Sequence, residues 1–166
     1  ITRGETAGAE GCYAKLSYNY IAEKYGTGDN VKYINAGVSG TPSVLGNLRL
    51  QKDVLDHNAD IVFVEFAVND AQDNTHKESY ESLVRTVLTQ ENDPAVVLIF
   101  NRTANGYTAQ EYMKEIGDYY SLPMISVADA LTPEFDEGRM TWEDYSDDQS
   151  HPNADGHKLL CSFIEN

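Results

Sequence analysis

Near the end of the chain, Asp147-Asp148-Gln149-Ser150-His151-Pro152-Asn153 sets a carboxylate three residues before a histidine. On a turn, that spacing lets the Asp148 carboxylate reach the Nδ1–H of His151 and hold the ring as a general base. The same Asp-x-x-His pattern also occurs as a purely structural turn. A second candidate is Asn69, in Glu65-Phe66-Ala67-Val68-Asn69-Asp70. Either it closes an Asx-turn at a strand end, or its side-chain amide donates to an oxyanion, where one donor is worth about 10²–10³ in rate. A third is the loop Asn35-Ala36-Gly37-Val38-Ser39-Gly40-Thr41. Its glycines permit positive φ and bring a backbone N–H close to a ligand, or they simply make a tight turn. His57, His76 and His157 stand at no metal-ligand spacing and are expected to be solvated.

These residues need elements to hold them. Cys12–Tyr25 carries Tyr13, Leu16, Tyr20, Ile21 and Lys24 at spacings of three and four, which predicts an amphipathic helix. Gly26, Gly28 and Asp29-Asn30 then break the chain before Val31–Ala36, a predicted strand. Ser43–His57 reads as a helix with Leu45, Leu48, Val54 and Leu55 on its apolar side. The run Ile61–Ala67 reads as a strand apolar on both faces, hence central in a parallel sheet. Glu78–Thr89 is helical through Tyr80, Leu83, Val84, Val87 and Leu88, and Ala95–Phe100 is a strand. Thr108 suits the N-cap of a helix running to about Tyr120. Pro123–Val127 is a short strand, Asp129–Gln149 an irregular acidic stretch, and Asn153–Ile164 a helix whose start suits Pro152.

Strand–helix alternation of this kind predicts an α/β sandwich around a parallel sheet. In such sheets ligands sit beyond the carboxyl ends of the strands, so the loops holding Gly40, Asn69 and His151 are where chemistry is expected. The chain has 166 residues, the size of one domain with one core. Its formal charge of −15 and lack of any Lys/Arg cluster argue against a nucleic-acid partner and favour a neutral substrate. The longest apolar run, Ile61–Val68, is interrupted by Glu65 and far too short for a membrane span. Cys12 and Cys161 lie near opposite ends and form no zinc motif, so the expectation is two half-buried free thiols.

Taken together and in order, the three loops resemble the sequence blocks of the SGNH (GDSL-type) hydrolases. Asn35–Gly40 is similar to the family's Gly block, Val68-Asn69-Asp70 to its Gly-x-Asn-Asp block, and Asp148–Pro152 to its final Asp-x-x-His block. Val68 and Ala67 stand where the family often has glycines. The resemblance spans essentially the whole chain and implies a three-layer α/β/α sandwich of flavodoxin-like architecture. It implies a serine esterase working through an acyl-enzyme, with His151 as base, Asp148 as its orienting acid, and Gly40 and Asn69 as oxyanion donors. It implies no cofactor and no metal.

The family's first block reads Gly-Asp-Ser, typically continuing as Ile-Thr-x-Gly. The chain opens on Ile1-Thr2-Arg3-Gly4, similar to the segment that succeeds the serine. The resemblance therefore places the nucleophilic serine, its backbone oxyanion N–H and the first strand upstream of Ile1, and implies a protein that continues at both ends with room for further domains.

Substrate classes in the family include lipids, thioesters and acetylated carbohydrates. The chain shows no amphipathic lid, and its Tyr-rich acidic composition suits removal of short acyl groups, above all acetyl, from a polysaccharide. Two other readings stay open. Gly37-Val38-Ser39-Gly40-Thr41 approximates the Gly-x-Ser-x-Gly elbow of α/β-hydrolases, with Ser39 as nucleophile, although Thr41 replaces the last glycine. A non-catalytic carbohydrate-binding relative would instead use Tyr107, Trp142 and Tyr145 as aromatic platforms.

Overall fold

A computed structural model describes residues 1–166. The chain traces two compact units, one of Ile1–Ser39, Thr103–Asn105 and Ala130–Asn166, the other of Gly40–Arg102 and Gly106–Asp129. No helix is long and apolar enough to cross a membrane.

The second unit holds the sheet. Strands β1 (Ile61–Glu65), β2 (Ala95–Phe100) and β3 (Met124–Ser126) run parallel in the order β1-β2-β3. Ile61 to Glu65 pair with Ala95 to Ile99 in register, and Leu98 to Phe100 pair with Met124 to Ser126. The centre of the sheet is therefore β2, not β1. Val96, Leu98, Ile99 and Phe100 are buried on both its faces, as a parallel strand with neighbours on either side requires. β1 has only β2 as a partner, because the expected strand Val31–Ala36 makes no ladder. That stretch is held instead by side-chain bonds, chiefly from Asn35.

Helices α3 (Ser43–Asp53), α4 (Asn74–Leu88) and α5 (Gln110–Tyr120) belong to the same unit. α4 starts four residues earlier than the apolar pattern predicts, because Asp73 caps it by accepting the His76 N–H at 2.9 Å. Its Tyr80, Leu83, Val84 and Val87 form the buried i, i+3, i+4, i+7 stripe. α3 corrects the sequence reading of its inner face. Leu45 and Leu48 point outward, Leu48 at 81% exposure, while Ser43, Gly46 and Leu50 are buried. Gly46 faces inward because a Cβ there would meet the Phe66 ring at 2.8 Å and a Leu83 methyl at 3.0 Å. The helix also stops at Asp53, and Leu55–His57 is a separate 3₁₀ turn. α5 begins at Gln110 with Ala109 rather than Thr108 at its cap.

The first unit is helical: α1 (Gly8–Gly11), α2 (Tyr13–Tyr25), α7 (Trp142–Tyr145) and α8 (Ala154–Glu165). α6 (Val127–Asp136) carries the chain into it, so the acidic stretch read as irregular contains two helices. α7 owes its start to a capping box in which Thr141 and Asp144 exchange bonds across the first turn. α8 is capped by Asn153, whose Oδ1 accepts the N–H groups of Asp155 and Gly156, so Pro152 lies outside the helix. Gly156 is needed here: a Cβ would fall 2.1 Å from the Tyr145 carbonyl oxygen, so only glycine lets α8 begin this close to the end of α7.

His157 overturns its expected exposure. It is fully buried, and its Nδ1 accepts the backbone N–H of Tyr13 at 3.1 Å. Cys12, the N-cap of α2, offers no side-chain cap bond, so His157 satisfies one of the donors a helix start leaves free. Its ring stacks on that of Tyr13 at 6.2 Å. Burial holds the imidazole down at about 4. Cys12 and Cys161 are unpaired and fully rather than half buried.

Candidate active site

Residues 146–152 form a tight loop between α7 and α8, closed by an antiparallel bridge between Ser146 and Pro152. Within it, Asp148 Oδ2 lies 2.7 Å from His151 Nδ1. Asp148 Oδ1 accepts the N–H groups of Ser150 and His151, each at 2.7 Å. Partial burial works against the charge on this carboxylate. The two backbone donors and the His151 ring outweigh it and hold Asp148 at about 2. An ionised Asp148 selects the tautomer of His151 with its proton on Nδ1, leaving Nε2 as the basic nitrogen.

Two side chains that the sequence does not single out for this purpose fix the loop. The indole N–H of Trp142 donates to the Asp148 carbonyl at 2.6 Å. The hydroxyl of Ser146, 1% exposed, lies 2.6 Å from the His151 carbonyl and 3.1 Å from that of Asp148. Neither contact has a sequence signal beyond proximity, because both run to backbone carbonyls. Trp142 packs between Phe135 and Tyr145, with ring centroids at 5.7 and 5.5 Å, and Tyr145 is fully buried. Tyr145 therefore cannot serve as a sugar platform. Tyr107 is 37% exposed.

The start of the chain belongs to the same unit. Asn35 Nδ2 donates to the Thr2 carbonyl at 2.8 Å, and Asn35 Oδ1 accepts the Gly37 N–H at 2.9 Å. A Cβ on Gly37 would come within 2.9 Å of the Arg3 nitrogen, so this glycine permits a close approach of the two segments. Thr6 Oγ1 donates to the carbonyl of Pro152, the residue after His151. Ser39 donates its hydroxyl to Glu5 rather than to a histidine, which removes the local geometry an elbow serine needs. That bond lowers the Glu5 carboxyl, with smaller help from the charge of Arg3.

In the second unit, Gly40 sits in a turn at φ +65°, with nothing within 4 Å of where a Cβ would be. Asn69 is exposed at the end of a turn in which its N–H and that of Asp70 both bond to the Phe66 carbonyl at 2.9 Å. Asp70, which the sequence marks only as a turn residue, is 1% exposed. Its Oδ1 accepts the N–H of Ser43, the first residue of α3, at 2.7 Å, and its Oδ2 the hydroxyl of Tyr112 at 3.1 Å. Burial pushes this carboxyl up, against the pull of the Ser43 and Tyr112 donors. No three His, Cys, Asp or Glu side chains gather into a group that would hold a metal.

A GDSL-like lipase/acylhydrolase family profile matches residues 1–159. The chain belongs to that family. Among solved structures, this family member is similar to a two-domain esterase active on acetylated mannans, at 37% identity and a TM-score of 0.94. The match covers 99% of this chain and 44% of the esterase, so the chain spans less than half the length of that relative. An acetyl xylan esterase matches at 18% identity and a TM-score of 0.77, over 98% of this chain and 92% of its own. A catalytic-mutant form of an acetylxylan esterase from Geobacillus stearothermophilus matches at 17% identity and 0.75, over 99% and 88%. The last two likenesses establish the α/β fold shared with the GDSL-like family. No curated protein matches the chain.

Proposed function

We propose that this chain forms the acyl-transfer part of a serine esterase that removes short acyl groups, chiefly acetyl, from a carbohydrate. The observation that carries the reading is the Asp148–His151 pair at 2.7 Å, on a loop whose Pro152 carbonyl is bonded by Thr6 near the chain start. In this reading the nucleophilic serine lies upstream of Ile1, on the segment that Thr6 ties to the loop of His151.

In this mechanism the serine hydroxyl attacks the ester carbonyl while His151 Nε2 takes its proton. The tetrahedral oxyanion is held by the Gly40 N–H, the Asn69 side-chain amide and the serine's own N–H. His151 then delivers the proton to the leaving alcohol, giving an acyl-enzyme and free sugar. Water, deprotonated by the same nitrogen, attacks the acyl-enzyme; its proton returns to the serine and the carboxylic acid leaves. Asp148 keeps the ring oriented and stabilises its transient positive charge.

The carbohydrate assignment draws on the mannan esterase that the chain resembles at 37% identity and on the formal charge of −15, which disfavours anionic substrates. The test is a turnover series on the full-length protein with acetyl, butyryl and octanoyl esters, beside acetate release from acetylated mannan and acetylated xylan. The proposal expects acetyl esters and an acetylated polysaccharide to be preferred. Preference for octanoyl esters would replace it with a lipase, and for acyl-thioesters with a thioesterase.

A further inference from the structure

We propose that Asp70 is a positioning residue for the oxyanion donors, its buried carboxylate fastening the start of α3 to the turn that carries Asn69. This deepens the esterase reading and rests on it.

Connectivity makes the link. Asn69 immediately precedes Asp70, and Gly40 stands three residues before Ser43. The single bond from the Ser43 N–H to Asp70 Oδ1, 2.7 Å long, therefore joins the two loops that present the two donors. Both loops lie outside the strand ladders, where the sheet supplies no register between them. Between Gly40 and the fastened nitrogen lie only Thr41 and Pro42, and the proline ring restricts its own φ to near the observed −81°. A shift of Asp70 is thus passed on over a short, stiff segment.

The carboxylate is itself held from two further directions. Tyr112, from α5, bonds Oδ2 at 3.1 Å, and the Tyr107 hydroxyl donates to the Asp70 carbonyl. A carboxylate almost fully removed from water is costly unless its lone pairs are filled, and here a helix start and a phenol fill them. Capping α3 alone would need only an exposed Asp, Ser or Thr at the helix start. The buried arrangement goes further by tying that start to the next loop and to α5.

The test is a double-mutant cycle on the full-length protein with a small acetyl ester, reading kcat and KM separately. Asn69→Ala should lower kcat about 100-fold, the size of one lost oxyanion donor. Asp70→Ala should lower kcat about 10–100-fold with KM within about threefold of wild type, and Asp70→Asn, which keeps a carbonyl oxygen for the Ser43 N–H, should recover most of that loss. The double variant should be less impaired than the product of the two single losses, since part of the Asp70→Ala loss runs through the Asn69 donor that Asn69→Ala has already removed. Losses that multiply, or a wild-type kcat for Asp70→Ala, overturn the positioning role. A wild-type kcat for Asn69→Ala overturns the oxyanion reading and the proposal with it. If Asp70→Ala does not fold, Tyr112→Phe takes its place. It should lower kcat several-fold in the wild-type background and by a smaller factor beside Asn69→Ala; an equal loss in both backgrounds overturns the role.

Discussion

The indole N–H of Trp142 donates to the main-chain carbonyl of Asp148 at 2.6 Å, so an aromatic side chain from α7 fixes the backbone of the candidate catalytic acid. With Ser146 bonded to the His151 carbonyl, both ends of the Asp-x-x-His turn are held from outside it. Trp142→Phe keeps most of the packing and removes the bond. It should lower kcat about tenfold with little change in KM, because a small misplacement of the base costs transition-state rather than ground-state interactions. Ser146→Ala should do the same. A rise in KM alone for both would show that they shape substrate binding instead.

Asp148 is held at about 2, so it stays charged through the mildly acidic range. The acid limb of the pH–rate profile, followed down to about pH 4, should then carry no contribution from this carboxylate. Asp148→Asn should lower kcat by about 10²–10⁴, since an amide can hold the ring in the wrong tautomer. Steady-state kinetics of the variant, with its melting temperature, check this.

His157 gives a pH dependence of stability. Its folded value of about 4 lies below the usual 6.5 of a free histidine, so between these the unfolded chain binds more protons than the folded one. The stability this residue contributes is complete above about pH 6.5 and is lost as the pH falls towards 4. Melting curves from pH 8 to 4 should show the decline, and His157→Gln should flatten it. An unchanged slope in the variant would place the dependence elsewhere.

Gly40 stands at φ +65° with open space around it. Gly40→Ala should therefore cost only the left-handed backbone strain, about 1–2 kcal/mol, and lower Tm by a few degrees. The loss in kcat should exceed what that strain explains, because relieving it re-aims the N–H. Thermal melts beside kcat separate the two.

How much of this is legible in the sequence depends on where the information lies. β2 and the Asp148–His151 pair are readable because each is local: a run of buried apolar residues bounded by Pro94 and Asn101, and a carboxylate one turn from its histidine. His157 is misread because its partner, the Tyr13 N–H, is 144 residues away and carries no residue-specific mark. Val31–Ala36 has strand-like composition, but a strand exists only by pairing, and nothing in its own sequence says that Asn35 will bond to Thr2 instead. The roles of Ser146 and Trp142 are hidden because their partners are backbone atoms, and that of Asp70 because its partners, the Ser43 N–H and the Tyr112 hydroxyl, lie 27 and 42 residues away. The apolar pattern turns α3 the wrong way because Leu45 and Leu48 outweigh Gly46 in any apolar count, although Gly46 is what lets the helix approach Phe66.

The most direct test of the central claim is covalent labelling of the full-length protein with a fluorophosphonate, combined with peptide mapping. The expected result is one adduct, on a serine immediately before Ile1, that disappears in His151→Ala. An adduct on Ser39, or none at all on active, folded protein, would contradict the esterase mechanism proposed for this chain.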